Sequence, residues 1–399
     1  MAVVSESETS RQRRSPLAAL WNDPRYRAVI YQLLVIAGVV FVVGYLVSNT
    51  MANLEQRQIA TGFGFLDREA GFAISESMFS YDATDTYGRA FLVGLTNTFR
   101  VAIIGVVLAT ILGVIIGIGR LSTNWLVAKL ASAYVEVTRN VPLLLQLLVW
   151  YGVITYALPH PRDADNPLPG VFFSNRGIKL PAPVADIGWL TASVGVLVGI
   201  VGAIALARWA KRRQDATGQP FPTFRAGLAA IVGAGIVGWA VGGAPTAISV
   251  PELAGFNFRG GMTLTPEFAA VLLGLTIYTA GFIAEIVRSG ILAVSHGQTE
   301  AAHALGLRRN QVLRLVVLPQ ALRIIIPPMT TQYLNLTKNS SLAVAVGYPD
   351  LVSIGNTTLN QTGQAIEAIS IFMAVYLSLS LGISLFMNWY NSHIALVER

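Results

Sequence analysis

The amino-acid sequence predicts an all-α integral membrane protein with about eight transmembrane helices. Of its 399 residues, 53% are hydrophobic and only 12% are charged, whereas soluble globular domains carry about 25% charged residues. Apolar runs of about 20 residues, the length that crosses the hydrocarbon core of a bilayer, recur along the chain. The chain contains no cysteine, which excludes disulfides, thiol catalysis and cysteine-ligated metals.

The net charge of +7 indicates membrane topology rather than nucleic-acid binding, because basic residues concentrate in the cytoplasmic loops of membrane proteins. Eight spans place both termini on one side, and most Lys and Arg residues fall on that side. The positive-inside rule therefore predicts that both termini are cytoplasmic. The four histidines show no metal-ligand spacing, so we expect no metal site.

The predicted spans differ in regularity. The first follows Arg25 and Arg27 and is longer than the core of a signal peptide, so we expect it to be retained. The seventh is the least regular, because Pro327 and Pro328 interrupt it. The eight spans cover residues 28–48, 91–119, 141–158, 188–207, 226–243, 268–287, 321–343 and 366–389, and loops are expected at 120–140, 159–186 and 244–266.

One polar segment, residues 295–319, lies between two apolar runs. Ser295 and Gln298 predict a capping box at the start of a short helix, and Gly306 suits the left-handed position that follows a helix. A second short helix is expected to run until Pro319 breaks it. The pattern of this segment is carried by Glu300, Ala301, Ala302, Gly306, Val316, Leu318 and Pro319.

This pattern resembles the EAA loop of ABC-importer permeases. The resemblance implies that residues 295–319 dock, as a coupling helix, into a cleft on a separate cytoplasmic ATPase. Small side chains at Ala301 and Ala302 would allow a close approach, and Gly306 would fix the bend. Glu300 would reach a basic group on the partner. An ordinary helix-turn-helix in a cytoplasmic loop is the alternative.

Further segments resemble the permeases for polar amino acids, namely residues 94–98, 134–144, 278–290 and 335–342. The resemblance implies a five-span type I ABC importer core. The chain departs from the compact members of that family by one extra N-terminal span and an inserted two-span hairpin. The larger broad-specificity L-amino-acid permeases share this layout, and residues 21–25 are also similar to theirs.

The expected domain organisation follows from this layout. The inserted hairpin carries no recognisable chemistry, so we expect it to contact lipid or to brace the core. In order, we expect a tail at 1–27, the extra span at 28–48, a partly ordered loop at 49–87, the first core part at 88–158, the insertion at 159–267, the second core part at 268–391 and a tail at 392–399.

The resemblance also implies the partners. They are an ABC ATPase, a second permease subunit and a periplasmic amino-acid-binding protein, assembled on the inner membrane of a bacterium. A phosphate-binding P-loop needs Gly-Lys followed by Ser or Thr, and none of the four lysines follows a glycine. We therefore expect a chain that is not itself an enzyme and holds no cofactor, with ATP and Mg bound by the partner ATPase.

Two charged residues near membrane depth are candidates for the substrate pathway. Arg100 lies about two turns inside the second span, where it would meet a substrate carboxylate or instead extend to the lipid headgroups. Lys338 forms a polar end to the seventh span with Asn335, Asn339 and Ser340, and polar groups on a broken helix often line a cavity. The alternatives are a loop outside the membrane and packing against the partner permease.

Two further pairs of charged residues recur at a spacing of three. Glu285 and Arg288 end the sixth span, and Glu136 and Arg139 precede the third, so each pair shares a helix face. We expect either a gate or an ion-pair brace for the coupling loop. An ion-coupled secondary transporter, which also uses broken helices and buried charge, is the alternative function, but it would not need an EAA segment.

Overall fold

The computed structural model describes residues 24–56 and 61–394. The predicted tails at 1–27 and 392–399 therefore lie largely outside the described residues. The described part is mainly helical, and its apolar helices form where the sequence places apolar runs. The helices are α1 (Pro24–Gln56), α2 (Tyr87–Gly119), α3 (Trp125–Asn140), α4 (Leu143–Gly152), α5 (Ile187–Thr217), α6 (Thr223–Val241), α7 (Pro266–Leu292), α8 (His296–Ala304), α9 (Arg309–Val312), α10 (Leu318–Asn339), α11 (Leu351–Thr362) and α12 (Ala365–Ile394).

The prediction of about eight spans is confirmed. Seven helices in the described residues are long and apolar enough to cross a membrane, and the bent pair of α3 and α4 makes an eighth. All eight predicted spans coincide with these elements, although most observed helices extend beyond the predicted bounds. The extension arises because helices continue into polar sequence at the membrane surface, where an apolar run no longer marks them.

The prediction of a loop at residues 120–140 is wrong, because most of these residues form α3. Asn124 caps this helix by accepting hydrogen bonds from the backbone N–H groups of Leu126 and Val127. The helix ends before Pro142, which cannot donate a backbone hydrogen bond. The axis then bends by 105° into α4 and a π turn at Val153–Ala157.

The centre of the molecule is a close parallel pairing of α2 with α7. Glycines allow this approach: a Cβ atom at Gly113 would lie 2.6 Å from Ile283 Cβ, and one at Gly117 would lie 2.8 Å from the Ala284 carbonyl oxygen. Small residues are the usual means of close helix packing in lipid. A contiguous apolar core joins α2 and α7 to α4 and α10.

The loops predicted around the inserted hairpin are wrong, because they form short antiparallel strands. The strands pair across the whole insertion, so that Ile178 lies opposite Leu264. They are β1 (Asp165–Leu168), β2 (Val171–Ser174), β3 (Gly177–Leu180), β4 (Ala182–Pro183), β5 (Ile248–Ser249), β6 (Glu252–Ala254), β7 (Asn257–Arg259) and β8 (Met262–Leu264), arranged as β1-β2-β3-β8, β4-β5 and β6-β7. We call the side of the molecule that carries these strands the strand face and the opposite side, which carries α8, the α8 face.

The described part of the polar segment before α2 is ordered on the strand face. Its 3₁₀ turn at Phe63–Asp67 inserts the fully buried ring of Phe65 between Tyr87 and Phe91 of α2. The same cluster contains Leu351 and Ile354 of α11, a helix that the sequence reading missed. The two polar stretches on this side therefore pack on each other rather than extending freely.

Candidate functional site

The polar segment at residues 295–319, which we call the coupling segment after its predicted role, contains the expected short helix α8 and a sharp bend, but the second helix does not end within it. Gly306 has φ +77°, a left-handed conformation that favours glycine. Its N–H donates to the His303 carbonyl, and the N–H of Leu307 donates to the Ala302 carbonyl, which closes the end of α8. The bend therefore holds α8 at a fixed angle to the helix that follows.

The predicted capping box at Ser295 does not form. Ser295 is the N-cap of α8, but its side chain makes no capping hydrogen bond. Gln298 instead accepts a hydrogen bond from the Gln320 amide at 3.3 Å, which ties α8 to the start of α10. Gln311 accepts from the backbone N–H of Arg308 and supports the start of α9 in the same way that a capping-box residue does.

The residues of the coupling pattern do not all face outward. Glu300 and Ala301 are exposed, and the Glu300 carboxylate lies 2.9 Å from His296 Nδ1. Ala302 is only 4% exposed, so it packs inside the loop and does not offer a surface to a partner. Leu305, which the sequence reading did not single out, is 82% exposed. A leucine at the tip of a tight bend is an exposed apolar group that a partner could bury.

Pro319 does not break the helix, contrary to the prediction. A π turn at Leu313–Val317 precedes it, and Pro319 then occupies the first turn of α10 together with Leu318. The N–H of Leu318 donates to the Leu313 carbonyl across the π turn, and this shift in hydrogen-bond register accommodates a proline, which has no N–H to donate. The result is one helical run from Arg309 to Asn339 that also continues through Pro327 and Pro328, so the interruption predicted at these two prolines does not occur.

One face of α10 is left exposed along the whole helix. Its residues recur at steps of three and four, as one helix face does. From the α8 face towards the strand face they are Ile324, Pro328, Thr331, Asn335 and Lys338, and we call them the α10 stripe. The stripe is apolar at one end and polar at the other, so Asn335 and Lys338 share one exposed surface.

The other two residues predicted beside Lys338 are oriented differently. Ser340 is 1% exposed and donates its hydroxyl hydrogen to the Thr337 carbonyl, so it faces the core and not the stripe. Asn339 is half-buried. The turn from α10 into a 3₁₀ helix at Ser340–Val346 causes this reorientation, which the sequence pattern did not reveal.

Arg100 already has a carboxylate partner within the chain. Its guanidinium forms an ion pair with Glu76 and lies 4.1 Å from the ring centroid of Phe268. Glu76 also accepts a hydrogen bond at 2.6 Å from the Thr265 hydroxyl, just before α7. Arg100 therefore joins the polar segment before α2 to the starts of α2 and α7 on the strand face.

A second ion pair joins α2 and α7 at the α8 face. Glu285 pairs with Arg120, the residue that ends α2. Neither Glu285–Arg288 nor Glu136–Arg139 forms an ion pair among the residues described, although their spacing allows it. Arg139 instead lies 5.1 Å from the ring centroid of Phe282. Arg120 lies far from Glu285 in sequence, so no local pattern could reveal the pair.

Asp350 organises the return of the chain towards α12. One carboxylate oxygen caps α11 by accepting from the Ser353 N–H at 2.8 Å, and Leu351 N–H donates to the Thr98 hydroxyl of α2. Asn97 donates to the carbonyl of Pro349 in the same place. Burial raises the pKa of the Asp350 carboxyl to about 7, and the hydrogen bond from Ser353 opposes that effect only in part.

Comparison of the sequence with known proteins identifies the family of this chain. Residues 228–395 match the family model described as "Binding-protein-dependent transport system inner membrane component". The chain is 52% identical over 377 residues to the general L-amino acid transport system permease protein AapQ of Rhizobium johnstonii, covering 94% of each chain. It is 50% identical over 378 residues to the putative amino-acid ABC transporter permease YhdX of Escherichia coli, covering 94% of this chain and 96% of that one.

The name of a third relative specifies particular amino acids. The chain is 41% identical over 434 residues to BztB of Rhodobacter capsulatus, a permease protein of a glutamate/glutamine/aspartate/asparagine transport system, with full coverage of both chains. The described residues form a multi-pass arrangement of seven to eight helices that are long and apolar enough to cross a membrane. The chain belongs to the family of amino-acid permease subunits of ABC importers.

Proposed function

We propose that this chain forms part of the translocation pathway for L-amino acids and couples it to ATP hydrolysis by a separate subunit. The names of the relatives support amino acids as the substrate class, since one names general L-amino acids and another names acidic amino acids and their amides. The breadth of the first name agrees with a pathway that recognises the groups shared by all amino acids.

The observation that carries the proposal is the unbroken helical run from Arg309 to Asn339. It begins directly after the bend of the coupling segment and ends beside Lys338, on the exposed α10 stripe. A displacement of α8 by an ATPase would therefore move the polar end of the stripe without a flexible joint between them. Rigid helices with two arrangements are a common carrier of coupling between distant sites.

We assign the contacts with partners from exposure. Glu300, Ala301 and Leu305 would contact the ATPase, which would bind ATP and Mg, while Gly306 and the buried Ala302 hold the loop in shape. Leu318 and Pro319 would transmit the movement into α10. In this proposal the α8 face and both termini would lie in the cytoplasm, and the strand face would lie in the periplasm, where a binding protein would deliver substrate.

The α10 stripe would face a second permease subunit, so that the pathway lies between the two. Polar groups inside a membrane protein are expensive to expose to lipid and generally face a partner or a water-filled cavity. Lys338 would meet the carboxylate of the substrate, and Asn335 would supply a hydrogen bond. Asn339, half-buried, would lie at the edge, and Ser340 would act only through packing.

Two ion pairs would brace α2, one to the polar segment before it on the strand face and one to α7 on the α8 face. On the strand face, Arg100 is held by Glu76, so its contribution to a substrate site would require that pair to open. On the α8 face, Glu285 and Arg120 would brace α2 against α7 beside the coupling segment. Arg288, Glu136 and Arg139 would adjust the surface potential around that brace.

Uptake by the reconstituted complex tests the proposal. A charged hydrogen bond contributes roughly 1.5–3 kcal/mol, and 1.4 kcal/mol corresponds to a tenfold change. Replacing Lys338→Gln should therefore lower ATP-dependent uptake of L-amino acids by about ten- to a hundredfold at unchanged basal ATP hydrolysis. Lys338→Arg, which keeps the charge, is the matched control and should retain most of the uptake. Normal uptake by Lys338→Gln would remove the residue from the pathway.

A further inference from the structure

An apolar groove runs along the outside of the core between α2, α10 and α12. Its volume is about 580 Å³, and its walls include Phe99 and Ile103 of α2 and Phe386 of α12. Two residues at its base, Tyr333 and Thr337, come from the side of α10 opposite the α10 stripe, because two helical steps from Tyr333 to Asn335 rotate by about 200°. The groove is therefore not the surface that would face the translocation pathway.

The base of the groove contains polar groups at membrane depth. The Tyr333 hydroxyl lies 3.1 Å from the Thr110 hydroxyl, and the Thr337 hydroxyl donates to the Tyr333 carbonyl. Hydroxyl groups in the hydrocarbon region are normally covered by neighbouring helices and not by lipid chains. Thr337 is only 4% exposed, whereas Tyr333 is half-buried, so Tyr333 is the side chain that a helix in the groove would shield from lipid.

The covalent chain brings one helix to this position. Gly62 is fixed to the start of α12 by two hydrogen bonds, from its N–H to Glu367 at 2.6 Å and from the Gln364 amide to its carbonyl at 3.0 Å. Helix α1 ends at Gln56, so six residues at most separate it from this anchor, a reach of about 20 Å. That linker cannot cross a hydrocarbon core of about 30 Å.

The end of α1 must therefore lie on the same side as the start of α12, and the two spans run antiparallel. The apolar part of α1 has no buried residue, and nothing lies within 4 Å of a Cβ placed at Gly38. The groove also has open space at Gly382 of α12, where a Cβ would have no neighbour within 4 Å. The glycines at Gly38 and Gly382 would each allow a close helix contact, and neither makes one in the described arrangement.

We propose that α1 docks into this groove of its own chain, antiparallel to α12, and covers its apolar lining and Tyr333 from lipid. With Gln56 level with Ala365, the depth along the two helices gives the expected register. Gly382 lies 17 residues after the start of α12 at Ala365, about 26 Å at 1.5 Å per residue. The residue at the same distance from Gln56 is Val39, next to Gly38.

Disulfide mapping tests the docking, and the absence of native cysteine makes it direct. Each variant carries Gly382→Cys and one further cysteine, placed in turn at each of residues 33–47. The variants are assayed in the complete importer complex in membranes. Disulfide formation needs Cβ atoms within about 4.5 Å. The yield of linked peptide should rise and fall with a period of about 3.6 residues, with its maximum near Val39.

Leu381→Cys is the matched control, because Leu381 lies at nearly the same depth but about 100° around α12 from Gly382, outside the groove lining, and is 54% exposed. It should give no periodic crosslinking with α1. Equal yields from Gly382→Cys and Leu381→Cys, or none from either in complexes that hydrolyse ATP normally, would show that lipid fills the groove. A product of doubled mass would show that a second copy fills it. Each of these results would overturn the proposal.

Discussion

Leu305 provides the sharpest test of the coupling surface. Its side chain is 82% exposed at the tip of the bend, so it stabilises little within this chain. Leu305→Ala removes three carbon atoms, worth about 0.8 kcal/mol each when fully buried, or about 2 kcal/mol for the exposed fraction. If the ATPase buries the side chain, its affinity for the permease should fall about 30-fold.

Titration of the labelled ATPase subunit against permease in lipid nanodiscs measures this affinity. Phe224→Ala is the control, because Phe224 is 81% exposed at the start of α6, on the side of the molecule that carries α8. The control should bind the ATPase normally. Equal affinities for the wild type and Leu305→Ala would refute the docking of the bend into the ATPase.

Three further predictions follow from packing, charge and topology. Gly117→Ala should destabilise the α2–α7 contact by about 1–3 kcal/mol, because the new Cβ would meet the Ala284 carbonyl. Thermal unfolding measures this loss. Gly202→Ala is the control and should be neutral, because a Cβ at Gly202 has open space around it. The folded pKa of Asp350 lies above its ordinary value of 3.8, so this carboxyl lowers stability increasingly from about pH 4 to pH 7, and Asp350→Asn should flatten the melting profile in that window. Single cysteines at Gln214 and Asn257 should label from opposite sides, and labelling of both by an impermeant external reagent would contradict the topology.

The sequence was sufficient for the membrane spans because each is a local apolar run. It failed where structure depends on distant residues. The pairing of β3 with β8 joins segments separated by the whole inserted hairpin, and the Arg120–Glu285 pair joins two different helices. Short strands and an amphipathic helix such as α3 carry no long apolar run, so a reading based on hydropathy assigns them to loops.

The sequence identified the residues of the candidate site better than it identified the directions in which their side chains face. Gly306 adopts the expected left-handed conformation, but Ala302 faces inward and Leu305 faces outward. Small residues suit either a buried contact or a docking surface, and only the direction of the helix face separates the two. Pro319 continues the helix because the preceding π turn shifts the hydrogen-bond register, which a proline rule alone does not anticipate.

The central claim is that the helical run from Arg309 to Asn339 transmits movement from the bend to the polar end of α10. The most direct test is to place a flexible joint in this run and to measure the number of amino acids imported per ATP hydrolysed. Val316→Gly combined with Val317→Gly places two glycines in the π turn between the bend and α10, and glycine is about 1 kcal/mol less favourable in a helix than alanine. In proteoliposomes with the partner subunits, we predict that ATP hydrolysis persists while uptake per ATP collapses. An unchanged ratio of uptake to ATP hydrolysis would contradict the transmission of movement through this helix.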